Sequence, residues 1–126
     1  MKENVVFYKC EICENVIGLI TGNPESIKCC EKQMKPLIAN NVELTNGKHI
    51  PSYKKIGNEI VIKVGEESHL MDEGHYIMWI AQVTGDRTTR VKLTKGKINE
   101  IRFPYIEGSS LYAYCNKHGL WKCEVK

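Results

Sequence analysis

Four of the six cysteines, Cys10, Cys13, Cys29 and Cys30, fall within the first 36 residues, and nothing else restricts the fold of this chain so severely. A segment that short cannot hold itself together by apolar burial alone and needs a staple. The chain begins Met1-Lys2-Glu3-Asn4, and the apolar run from Val5 to Tyr8 is too short for a secretory signal, which predicts a cytoplasmic protein. In a reducing compartment, clustered cysteines read as metal ligands rather than disulfides.

Cys10-Glu11-Ile12-Cys13 is a C-x-x-C knuckle, whose spacing lets two thiolates converge on one tetrahedral ion while backbone amides donate toward the sulfurs. The second pair, Cys29-Cys30, has no residue between its members, so its chelate is distorted from tetrahedral. Four thiolates close the coordination sphere. Zinc would make the site a staple and iron would make it a one-electron centre, and ligand type alone leaves both open. Zinc ribbons and rubredoxins use spaced pairs at both corners. A C-x-x-C followed by an adjacent pair instead resembles desulforedoxin, a small module with one iron on four thiolates, and that resemblance implies iron. Gly18, Gly22, Asn23 and Pro24 supply turns, and Met34-Lys35-Pro36 marks a boundary, giving a module over residues 1–36.

Residues 37–126 read as short strands. Glu59 to Val64 places Ile60, Ile62 and Val64 on one face, and Tyr76 to Val83 carries aromatic and branched residues on both. Arg87 to Leu93, Ile98 to Phe103, Leu111 to Cys115 and Leu120 to Val125 continue at the spacing of about 8 to 12 residues expected of a sandwich. The expected fold is therefore mainly β, with the cysteine module followed by an immunoglobulin-like antiparallel β-sandwich of roughly seven strands. Apolar residues at 42% and charged residues at 26% are ordinary for a chain that folds. A net charge of +3 without a basic run argues against nucleic acid or a membrane surface as partner. No segment approaches the run of about 20 apolar residues that spans a bilayer.

The four histidines, His49, His69, His75 and His118, all lie in this second region with Cys115, each at a predicted strand end or loop. Loops at the ends of a rigid sandwich are where sites are built. Cys115-Asn116-Lys117-His118 sets a thiolate and an imidazole at chelate spacing. Taken one at a time, each histidine reads equally as a surface or hydrogen-bonded residue, and Cys115 as a buried thiol; the set reads as a metal site. Cys123 alternates with Trp121 and Val125 and reads as a core residue.

Lys48-His49-Ile50-Pro51, His69, Glu73-Gly74-His75-Tyr76-Ile77 and Cys115-Asn116-Lys117-His118-Gly119-Leu120-Trp121 resemble the motifs of the superoxide reductase family. With the four N-terminal cysteines the resemblance is to its two-iron members, the desulfoferrodoxins. It implies reduction of superoxide to hydrogen peroxide at a non-haem ferrous iron with His49, His69, His75 and His118 in the equatorial plane, Cys115 axial and the sixth position open. The four-cysteine iron would be an accessory electron-transfer centre. A thiolate opposite the substrate pushes electron density toward bound oxygen. Lys48, beside His49, would attract the anionic substrate and organise a water that delivers a proton. The family carries a glutamate before that lysine, able to close the ferric sixth position. Gly47 stands there instead, so the expected ferric ligand is water or hydroxide, visible as a band that moves with pH. The resemblance further implies a homodimer and a small electron-donor protein such as rubredoxin as partner. Two rivals remain at this stage: an electron carrier fused to a sandwich with a structural metal, which would leave no exchangeable position, and a zinc-ribbon adaptor, which would be colourless.

Overall fold

Strands account for nearly all regular structure in the computed structural model, which describes residues 7–39, 51–64, 76–85, 87–93, 100–117 and 119–126. Among them the single helical element is the 3₁₀ turn Pro24–Ser26, capped by Asn23, whose Oδ1 accepts from the Glu25 amide at 2.9 Å. No helix among these residues is long and apolar enough to cross a membrane. The chain divides into two compact units, Met1–Ile38 and Ala39–Lys126.

The first unit holds strands β1 (Phe7–Lys9), β2 (Val16–Gly18), β3 (Lys28–Cys29), β4 (Lys32–Gln33) and β5 (Lys35–Pro36). They form a small antiparallel sheet in the order β2-β1-β5 and a separate β3–β4 hairpin. Pro36 sits within β5, opposite Tyr8, and the Leu37 amide beyond it donates to Phe7 O at 2.9 Å. The buried cluster of the unit is Tyr8, Cys10 and Met34, with Leu19, Ile27 and Cys29 against it. So few buried side chains cannot offset the entropy of ordering the unit, and two of the six are candidate metal ligands.

The second unit contains β6 (Pro51–Ile56), β7 (Glu59–Val64), β8 (Ile77–Val83), β9 (Thr88–Lys92), β10 (Ile101–Pro104), β11 (Ser110–Cys115) and β12 (Gly119–Glu124). One sheet runs β10-β7-β6 and the other β12-β11-β8-β9, with every pairing antiparallel. The first, second and fifth of these seven strands thus share one sheet, and the third, fourth, sixth and seventh share the other. This is the immunoglobulin-like arrangement that the rhythm of the sequence predicts. Gly57, at φ +62°, makes the two-residue turn between β6 and β7, where a side chain would strain the backbone.

Alternation decides which residues meet between the sheets. Ile60 and Ile62 of β7 and Ile101 and Phe103 of β10 pack with Ile77, Ile80, Leu111, Ala113 and Cys115. The strand β8 is buried on both faces, as its composition predicts: Trp79 turns away from Ile80 and stacks on Tyr114, ring centroids 5.5 Å apart and planes 10° from parallel. Gln82 is the polar exception in that strand, and it is satisfied across the sandwich. Its Nε2 donates to Pro104 O at 2.9 Å and to Ser109 Oγ at 3.4 Å. Cys123 packs against the core but is only half-buried, because it lies near the end of β12.

Candidate metal centre

The first cysteine pair is presented by a tight turn after β1. The Glu14 amide donates to Cys10 O at 2.9 Å, the Cys10 amide donates to Asn15 O at 2.8 Å, and Glu14 takes a left-handed φ of 66° to close the loop. The second pair occupies the β3–β4 hairpin. Cys29 pairs with Lys32, so Cys30 and Glu31 are the two central residues of the turn, at φ 54° and 64°. Left-handed φ at both positions defines a type I′ turn, ordinarily built from Asn and Gly. Two residues with side chains hold it here, and that conformation is how directly adjacent cysteines turn their sulfurs to one point. Each non-glycine residue there costs on the order of 1 kcal/mol, which the surrounding contacts must offset.

All four sulfurs lie within 4.8 Å of one another. Cys13 Sγ and Cys29 Sγ are 3.4 Å apart, and Cys29 Sγ and Cys30 Sγ are 3.9 Å apart. A tetrahedral ion with metal–sulfur bonds of about 2.3 Å needs sulfur–sulfur edges of about 3.8 Å, so the cage fits such an ion. Cys10 is buried, whereas Cys13 and Cys30 are exposed, leaving one edge of the cluster at the surface. The Asn15 side-chain amide donates to Cys29 Sγ at 3.7 Å.

The protonation pattern follows from these contacts. The Cys13 amide, donating to Cys10 sulfur, is the main reason the Cys10 thiol falls to about 6; burial opposes it, and the Ile12 amide assists. The Cys29 thiol is pushed up to about 12, first by its hydrogen bond with Cys13 and then by that with Cys10, and Cys30 is raised by the same two neighbours. Cys10 is therefore a ready anionic ligand, while Cys29 and Cys30 hold their protons until a cation takes the place of those protons. Four thiolates then fill the sphere and leave no position for a substrate.

The five residues expected to form the second site divide differently. His49, His69, His75 and His118 lie outside the described residues, as do Lys48 and Gly47. Cys115 is described. It ends β11, is wholly buried, and packs among the residues of the sandwich core. The β8–β11 ladder shifts register there: Tyr114 faces Trp79, Cys115 faces Ile77, and Met78 is the extra residue of a bulge. Beyond the bulge, the Asn116 amide donates to Tyr76 O at 3.1 Å and its Oδ1 accepts from the Tyr76 amide at 2.8 Å. Sequence reading passed over Asn15 and Asn116. Both directly follow or closely trail a ligand-type cysteine, which was the available signal.

A unit that gathers four sulfurs, followed along the chain by a seven-stranded sandwich, is the architecture of a known class. The structure superposes on that of the superoxide reductase from Treponema pallidum with a TM-score of 0.72 at 23% identity, covering 98% of this chain and 100% of that one. A one-iron superoxide reductase from Giardia intestinalis matches at 28% identity and a TM-score of 0.51, over 60% of this chain and 94% of that chain. Residues 40–124 match the model of the desulfoferrodoxin family. A desulfoferrodoxin from Syntrophotalea carbinolica is 38% identical over 125 residues, spanning 98% of this chain and 99% of that protein. The chain belongs to the desulfoferrodoxin family. Membership and the four-sulfur cage together make it an iron-binding protein.

Proposed function

We propose that the chain is a superoxide reductase, catalysing O₂•⁻ + e⁻ + 2H⁺ → H₂O₂ in its sandwich, residues 37–126, with the four-thiolate iron of residues 1–36 as an accessory electron-transfer centre. The observation that carries this reading is that the family match over residues 40–124 spans every histidine of the chain together with Cys115, a wholly buried thiol at the end of β11, opposite the bulge in β8. The likeness to the Giardia intestinalis enzyme points the same way.

The residues that would hold the iron are His49, His69, His75, His118 and Cys115. Iron held by these residues would supply the single electron. The residues do the rest. Neutral imidazoles would add no negative charge and so keep the reduced state accessible, while burial among Ile77, Leu111 and Ala113 keeps water from the Cys115 thiolate. Lys48 draws in the anion and orders the water that hands over protons. The closed cage of Cys10, Cys13, Cys29 and Cys30 has exposed sulfurs on one edge, which suits electron exchange with a small donor protein of the rubredoxin kind. Superoxide removal in the cytoplasm by a homodimer completes the reading.

Metal analysis of protein from iron-supplied cells should find two irons per chain, and the oxidised protein should show thiolate-to-iron colour from both centres. Full activity with zinc alone in both sites would end the proposal.

A further inference from the structure

The bulge at Cys115 raises a mechanical problem. Where a ladder loses register, backbone groups go unpaired and the strand end bends and frays, yet a thiolate that is to ligate a metal needs a fixed direction. The chain resolves this one residue later. Asn116 meets both backbone polar groups of Tyr76, donating its backbone N–H to Tyr76 O at 3.1 Å and accepting the Tyr76 N–H on its own Oδ1 at 2.8 Å. The side-chain oxygen thus accepts from the Tyr76 amide, the part that a backbone carbonyl plays in a regular ladder. Cys115 is bracketed by the bulge on one side and this two-bond clamp on the other, with its thiol buried in the core.

We propose that Asn116 is a positioning residue for the catalytic iron, holding Cys115 in register through its clamp on Tyr76. The inference rests on the functional reading above, because it takes Cys115 as an iron ligand. Tyr76 directly follows His75 in the sequence, so the same clamp ties together the two chain segments that carry these proposed ligands. Residue identity matters. Alanine offers no acceptor, glutamine carries it one methylene too far, and aspartate keeps it in place.

The test uses the full-length protein with ferrous iron, comparing wild type with Asn116→Ala and Asn116→Asp. Apparent affinity of the sandwich iron is measured by chelator competition, alongside the thiolate-to-iron band after oxidation and the exchange rate of the Tyr76 amide. The four-thiolate spectrum in the same sample is the internal control. Loss of a partner that orients a metal ligand costs about 10- to 100-fold in affinity, and that is the expected loss in Asn116→Ala, with a displaced sandwich band, faster Tyr76 exchange and an unchanged four-thiolate spectrum. Asn116→Asp should restore most of the affinity and the Tyr76 protection. Wild-type affinity and band in Asn116→Ala, or an aspartate variant no better than the alanine one, would overturn the positioning role alone. A wild-type sandwich that binds no iron would overturn this inference and the functional reading together.

Discussion

The two units of this chain solve opposite problems. The first has a buried cluster of Tyr8, Cys10 and Met34 and gathers four sulfurs at its centre, so the metal site and the means of folding are the same object. Among the described residues of the second, ten form one continuous buried cluster between two sheets, nine of them without a metal-ligating side chain, so its fold should stand without the metal. The contrast teaches that a metal site can either be the core or be mounted on one, and the two kinds fail differently.

Stripping both metals should separate the units most sharply. The first unit should lose its amide protection altogether, an effect on the order of 10 kcal/mol if it behaves as other metal-dependent modules do, while β7, β8 and β11 keep theirs. Hydrogen exchange of the stripped protein reads this directly. Equal loss in both units would erase the distinction. A core lesion should do the reverse. Leu111→Ala, at a site with no exposure, should cost about 2–5 kcal/mol in the sandwich by denaturant unfolding, with no change in the four-thiolate spectrum below the transition.

The sequence made this division legible because its two halves carry different signals. Cysteine spacing is a local pattern that survives in one dimension, and so is the alternation that placed Ile60 and Ile62 together and buried β8 on both faces. What it hid depends on a partner chosen by the fold. The adjacent Cys29-Cys30 pair forecasts a distorted chelate, but a type I′ turn on Cys30 and Glu31 has none of the Asn-Gly chemistry by which such turns are recognised. The clamp of Asn116 on Tyr76 lies just past the register shift at Met78, and nothing in the order of residues marks Met78 as the extra one. The four histidines, Lys48 and Gly47 fall outside the described residues, so their arrangement stays an inference from motif and family.

The smallest expected effect sits in that turn. Glu31→Gly places a glycine where φ is 64°, and should stabilise the iron-loaded hairpin by up to about 1 kcal/mol, partly offset by the greater freedom of glycine in the unfolded chain. Slower iron loss to a chelator would register it. Faster loss would mean that the Glu31 side chain contributes more than its backbone costs.

Two full-length variants, Cys10→Ser and Cys115→Ser, followed side by side after a pulse of superoxide with iron counted in each, test the division of labour most directly. Cys10→Ser should lose the four-thiolate iron and still consume superoxide, whereas Cys115→Ser should keep the four-thiolate iron and its colour and fail to react. Reaction at the wild-type rate in Cys115→Ser, or no reaction in a Cys10→Ser protein whose sandwich still holds iron, would contradict the account.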